Sequence, residues 1–137
     1  MPLPSTRAML PADWKLIAHF KPAEFRYPDR MGYQFMIALD RVRRQAGVPM
    51  HPTSGYRTPA HNKAVGGAKD SAHTDDPICD AVDIEPANSH DRFQIVRALF
   101  LCGWTRIGVY PNGSLHCDTT GDRRPDEVLW VVVSNPA

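Results

Sequence analysis

The 137-residue chain is 42% hydrophobic and 23% charged, the composition of one globular domain with enough apolar content to bury a core. Its formal net charge of +1 gives no electrostatic ground for a nucleic-acid partner, and no apolar run approaches the roughly 20 residues that span a bilayer. Thirteen prolines favour a loop-rich protein over one of long helices. Cys79, Cys102 and Cys117 are odd in number and lack C-x-x-C spacing, so they read as free thiols of a reducing compartment. The first residues lack the apolar core of a signal peptide, which makes the cytoplasm the expected place of synthesis. A monomer is the expected state.

Residues 1–19 form a lead-in, irregular over 1–13. Phe20-Lys21-Pro22-Ala23-Glu24-Phe25 reads as a short anchoring turn whose aromatics pack on the core. Phe35, Met36, Leu39, Val42 and Ala46 recur at helical period over 32–46, with Gly47 placed as the C-terminal cap. Arg41, Arg43 and Arg44 suit the helix dipole there and read as a solvated face. A short strand over 50–53 follows. Thr58-Pro59 then starts a brief helix that Gly66-Gly67 ends.

Residues 81–84 alternate like a strand. Ser89 is placed to cap a helix over 90–102, apolar almost all round (Phe93, Ile95, Val96, Leu99, Phe100, Leu101) and so expected to be buried. Runs at 106–110 and 114–118 flank Pro111-Asn112-Gly113, a hairpin signal, and 128–133 makes a last strand. There are no repeats and no second domain. The expected architecture is a single α+β domain over 1–137, with N-terminal helices packed on a central antiparallel sheet.

The chemistry concentrates in Ser71-Ala72-His73-Thr74-Asp75-Asp76, in Asp80-Ala81-Val82-Asp83-Ile84, and in Ser114-Leu115-His116-Cys117-Asp118. Side chains two apart on a strand share a face, so His116 and Asp118 project together, as do Ala81 and Asp83. If the two strands are neighbours, Asp83 and His116 converge on one ion, with His73 reaching in from the preceding loop. Two histidines and a carboxylate with an open fourth position form the donor set of a catalytic zinc. On the residues alone, a structural His–Asp pair and loop-forming aspartates at 75, 76 and 80 remain open readings. His19, His51, His61 and His90 read as surface or satisfied histidines. Cys79 and Cys117 lie close enough in sequence to offer a stray thiolate.

An ordered series of segments carries a resemblance. Ser54-Gly55-Tyr56-Arg57-Thr58-Pro59-Ala60-His61-Asn62, Val65-Gly66-Gly67-Ala68, Ser71-x-His73 with Ala81-x-Asp83-Ile84, and Tyr110-Pro111-Asn112-Gly113-x-x-His116-x-Asp118 look like the zinc D-alanyl-D-alanine carboxypeptidases and their endopeptidase relatives. These are peptidoglycan-cleaving enzymes, many of them phage endolysins, and the hedgehog signalling domain shares their fold. The likeness covers residues 20–120, leaving 121–137 as a C-terminal loop and strand. Phe20-x-x-x-Glu24-Phe25 and Gly47-Val48-Pro49 are similar to the lead-in of the phage-type branch.

The resemblance implies one zinc ion on His73, Asp83 and His116, with Arg57 facing the substrate to polarise the scissile carbonyl or steady the oxyanion. Ser71 and Tyr56 are expected beside it as substrate contacts. It also implies hydrolysis of stem or cross-bridge peptides of bacterial peptidoglycan, carboxypeptidase and endopeptidase both open. With no signal peptide, the enzyme would reach the wall after lysis or on a phage particle. An inactive zinc-bearing wall-binding or phage-structural module is the alternative.

Two departures from the family pattern stand out. The acidic ligand usually falls seven residues after the first histidine, a position occupied here by Asp80, whereas Asp83 carries the local Ala-x-Asp-Ile pattern. A three-residue loop insertion costs little, so Asp83 is preferred and Asp80 is the fallback. The family's acidic or histidine base two or three residues before the last ligand is replaced by Ser114 and Gly113. Asp118, on the same face as His116, is therefore the candidate base. Its other reading is a group that orients His116.

Overall fold

The structure, a computed structural model, describes residues 2–133; residues 134–137, the end of the expected C-terminal loop and strand, lie outside the described residues. In chain order the elements are α1 (Tyr33–Ala46), β1 (His51–Ser54), α2 (Pro59–Ala64), β2 (Ala81–Glu85), α3 (Ser89–Leu101), β3 (Arg106–Val109), β4 (Leu115–Asp118) and β5 (Val128–Val131), joined by short 3-10 turns. Among the described residues no helix is long and apolar enough to cross a membrane.

α1 buries its periodic stripe, Phe35, Met36, Leu39, Val42 and Ala46, and Gly47 ends it at φ 67°, giving its N–H to the Arg43 carbonyl. α2 starts as its sequence suggests, with the Thr58 side chain accepting from the His61 N–H and Pro59 in the first turn. α3 differs from expectation twice. Asn88, not Ser89, caps it by accepting from the Asp91 N–H at 2.8 Å. Only Asp91, Ile95, Ala98 and Leu99 are buried, while Phe93, Phe100 and Leu101 are exposed. A helix lying on a core buries one stripe, and apolar composition around its circumference does not change that.

The lead-in is more than a tether. Pro11–Leu16 forms a 3-10 helix, and Met9, Trp14 and Ile17 join the core. Hydrogen bonds from the Met9 N–H to the Met31 carbonyl and from the Tyr33 N–H to the Arg7 carbonyl lash it to the start of α1.

The strands lie in the order β1-β2-β4-β3-β5. β1–β2, β2–β4 and β4–β3 are antiparallel, and β5 adds a parallel strand at the β3 edge. The parallel edge follows from the chain path. The β3–β4 hairpin, turned at Gly113 with φ 87°, brings the end of β4 back to the start of β3. β5 enters at that same end, where the Val128 N–H donates to the Thr105 carbonyl, so it runs with β3.

Alternation divides the sheet into two faces. Val82, Ile84, Ile107, Leu115 and Cys117 are at most 1% exposed and share one core with α1, α3 and Trp104. Asp83, His116 and Trp130 fall on the other face, around an open pocket of about 870 Å³.

Candidate metal centre

Strand register places two of the three candidate ligands. Asp83 on β2 pairs directly with His116 on β4, so both side chains rise from the same face. His73 comes from a 3-10 turn, Ala72–Thr74, capped by the Ser71 hydroxyl, which accepts from the His73 N–H at 3.2 Å. The Arg57 N–H donates to the His73 carbonyl at 2.8 Å and ties this turn to the segment after β1.

His73 Nε2, His116 Nδ1 and Asp83 Oδ1 form a triangle with all three sides 3.1 Å. The opposite ring nitrogens decide what faces the middle. His73 Nδ1 lies 2.6 Å from the Gly55 carbonyl, which can only accept, so Nδ1 carries the proton and Nε2 turns a lone pair inward. His116 Nε2 lies 2.7 Å from Asp118 Oδ2 and donates to that carboxylate, leaving Nδ1 as the nitrogen that faces inward. Three ligand-type atoms thus meet in a buried site.

The electrostatics follow. Burial, helped by nearby His116 and Arg57, pushes His73 below its ordinary pKa against the pull of Asp83. For His116 burial acts downward as well, yet its hydrogen bonds to Asp118 and Asp83 prevail and raise it to about 9. Asp83 and Asp118 are also buried, which would raise them. Both are nevertheless held well below the usual carboxylate range, Asp83 by the two histidines and Asp118 by His116, Arg106 and Thr120.

The remaining sequence candidates take distinct places. Arg57 lines the pocket with its guanidinium anchored at three points: Nε to Ser54 Oγ at 2.9 Å, Nη1 to Asn62 Oδ1 at 3.0 Å, and Nη2 to Asp83 Oδ2 at 2.8 Å. It holds one oxygen of Asp83 while the other joins the triangle. Ser71 borders the pocket but spends its hydroxyl on the His73 turn.

Tyr56, expected at the substrate, is instead buried against Tyr27, ring centres 5.4 Å apart, with Arg30 over its face. Neighbouring residues in an extended segment point to opposite sides, and Arg57 took the pocket side. Asp80 is also away from the centre: its Oδ2 accepts from the Ser5 N–H at 2.9 Å, on the face opposite Asp83. Cys79 and Cys117 are fully buried free thiols outside the triangle, and burial pushes Cys79 up to about 12.

Asp118 requires the largest correction. Its side chain has no exposed surface, and it sits beneath His116 in the floor of the pocket. Oδ2 serves His116, while Oδ1 accepts from Arg106 Nε at 2.7 Å, the Thr120 N–H at 2.9 Å and the Thr120 hydroxyl at 2.7 Å. A carboxylate with four donors on it and no exposed surface is committed to holding His116.

Two pocket residues escaped the sequence reading. The Tyr110 hydroxyl donates to Asp83 Oδ1 at 3.2 Å, and burial raises its pKa, keeping it protonated. Trp130 stands beside His116, ring centres 5.3 Å apart. Tyr110 opened the hairpin motif and could have been found there; Trp130 depends on a strand pairing with no local signature.

A family model described as Peptidase M15 matches residues 18–118, well over half of the chain. The chain belongs to the peptidase M15 family. Among curated proteins, none matches it. M15 peptidases are zinc-dependent hydrolases, and the chain is a metallopeptidase of that class.

The centre of this M15 peptidase fits the metal its family uses. A tetrahedral zinc with bonds of about 2.0–2.1 Å needs ligand atoms about 3.3 Å apart. The three donor atoms stand 3.1 Å apart, and the Gly55 carbonyl and Asp118 engage the opposite ring nitrogens, so His73 Nε2 and His116 Nδ1 are the nitrogens turned to a metal, which would displace the proton that His116 shares with Asp83. Among the described residues this is the one His/Cys/Asp/Glu group whose ligand atoms converge in this way.

Proposed function

We propose that this M15 peptidase hydrolyses peptide bonds in the stem or cross-bridge peptides of bacterial peptidoglycan, with one zinc held by His73, Asp83 and His116. The observation that carries this is the triangle of three inward-facing ligand atoms at 3.1 Å opening onto a pocket large enough for a peptide. When bound there, zinc supplies Lewis acidity, lowering the pKa of a water to about 7 and polarising a carbonyl.

The chain's own groups do the rest. Arg57 uses three of its five N–H bonds on Ser54, Asn62 and Asp83, which leaves two for a substrate oxygen. Those two free N–H groups of Arg57 face the developing oxyanion, while the Tyr110 hydroxyl, whose single proton goes to Asp83 Oδ1, helps to hold that carboxylate. Asp118 holds His116 in its ligating tautomer. With Asp118 engaged, the proton acceptors left on the pocket wall are His61 and Asp70, both at its exposed rim.

A second reading is a zinc-bearing but inert wall-binding module or phage-particle component. It draws on Gly113 and Ser114 in place of an upstream base, and on the engagement of Asp118. Mass spectrometry of purified peptidoglycan, treated with zinc-loaded protein and with chelated protein, separates the two. New stem-peptide termini that vanish on chelation are expected, and they also distinguish carboxypeptidase from endopeptidase action. Wall binding with no new termini across several wall types would replace the peptidase reading with the inert one.

A further inference from the structure

Trp130 and Val132 line the pocket but lie beyond the stretch that matches the family, in and just after β5. Strand register sets His116, Gly108 and Trp130 side by side across β4, β3 and β5. The middle position needs glycine, because a Cβ on Gly108 would come 2.6 Å from Cε2 and Nε1 of the indole. Over that gap the indole reaches the His116 ring, tilted 47° to it.

Arg106 fixes the ring from another side. Its guanidinium lies 5.0 Å from the indole centre and is itself bound to Asp118 Oδ1 and the Pro125 carbonyl. The ring is half-buried, held by its neighbours, and presents apolar surface to the pocket beside a candidate metal ligand. An immobilised aromatic wall loses little entropy when a ligand packs on it, which is why such residues dominate binding energy. Aliphatic groups suit it, and a carboxylate does not, since it would lose its water against the indole without gaining a partner.

We propose that Trp130 is a substrate-contacting residue, the platform on which an aliphatic segment of the peptide lies beside the metal centre. This rests on the peptidase reading for its substrate class. It also makes β5 part of the substrate groove.

The test uses the full chain as wild type, W130A, W130F and G108A. Each is titrated with a soluble peptidoglycan stem peptide, once with zinc chelated and once zinc-loaded, and the zinc-loaded set is assayed for cleavage. Trp14 and Trp104 are buried, so a change in tryptophan emission on peptide binding reports Trp130. The expected result is such a change in wild type, absent in W130A and W130F. Kd and KM should rise on the order of tenfold in W130A, with kcat within about threefold and zinc content unchanged. W130F, which keeps an aromatic face, should recover most of the affinity. G108A, which keeps the indole but displaces it, should behave like W130A.

Peptide affinity and KM unchanged in W130A and G108A would overturn the platform, as would loss of zinc in W130A with peptide affinity intact. A wild type that binds the peptide through Trp130 but cuts nothing would overturn the peptidase reading and leave the platform standing.

Discussion

Replacing Asp118 with Asn separates a base from a supporting group, because the two roles predict opposite losses. The substitution keeps the shape of the side chain but turns one oxygen into a donor. Three donors (Arg106 Nε, the Thr120 N–H and the Thr120 hydroxyl) converge on Oδ1, so the amide oxygen stays there and the NH2 group replaces Oδ2 opposite His116 Nε2. Two N–H donors cannot face each other across 2.7 Å, so His116 must move its proton to Nδ1. That nitrogen is the one turned toward His73 and Asp83, and the tautomer that offers its electron pair to a metal is lost. Loss of a supporting partner costs about 10–100-fold in metal affinity, or about 1.4–2.7 kcal/mol. The forced tautomer puts Asp118→Asn near the upper end. Competition against a chromophoric chelator measures the affinity, and kcat at saturating zinc should return to within about tenfold of wild type. Zinc binding within twofold of wild type alongside a thousandfold loss of kcat would refute this and restore Asp118 as proton acceptor.

Further outcomes follow from other parts of the structure. Asp80→Asn should leave zinc stoichiometry at one per chain while Asp83→Ala abolishes it, because Asp80 faces Ser5 and not the triangle; equal loss in both would undo the ligand assignment. With free zinc at about 1,000 times its Kd, binding is coupled to folding by about 4 kcal/mol, so chelation should lower Tm by on the order of ten degrees. A Tm indifferent to chelator would argue against a folded-state metal site. Gly67→Ala would bring a Cβ within 2.0 Å of Asn62 Oδ1, the acceptor for Arg57 Nη1, so kcat/KM should fall about tenfold with zinc retained. Full activity would mean that the Asn62 anchor is dispensable. Asp75 is partly buried, which would raise its pKa, but its pairs with Arg124 and Arg123 prevail and lower it. The stability this gives is present above the unfolded carboxylate value of about 3.9 and is lost as pH falls through the lowered folded value. Urea unfolding should therefore show Asp75→Asn about 1 kcal/mol less stable at pH 7, with the gap closing below about pH 4. A gap that persists at low pH would assign the loss to packing.

Legibility in the sequence tracked how local the deciding interaction was. α1, its Gly47 cap, the Thr58-Pro59 start of α2 and the β3–β4 hairpin each rest on contacts within a few residues, and the pattern of each is visible in the string. The lead-in helix and the burial of Trp14 rest on contacts with Phe25 and the start of α1, and no period announces them. Asp118 shows the boundary most clearly. Alternation puts it on the face of His116, but whether it meets the pocket or the back of the imidazole is decided by Arg106 and Thr120, one of them from another strand. Trp130 depends on β5 joining β3 in parallel, a consequence of chain path that no dipeptide encodes.

Strand register, rather than loop length, sets the triangle, and it sets the two aspartates apart. Counting seven residues from His73 reaches Asp80, yet Asp80 precedes β2 and turns its carboxylate to the Ser5 N–H, away from the triangle. Any acid ligand here must share the face of His116, and direct pairing across β2–β4 leaves Asp83 in that place. The loop between His73 and β2 can then vary as long as its ends are fixed. At one end the His73 carbonyl accepts from the Arg57 N–H, and at the other the Cys79 N–H donates to the Arg30 carbonyl while the Cys79 carbonyl accepts from the Gly32 N–H. Between them, Asp75 is gripped by Arg123 and Arg124, and Asp76 pairs with Arg30. The extra residues are taken up on the surface, and the 3.1 Å triangle is set by contacts that none of them makes.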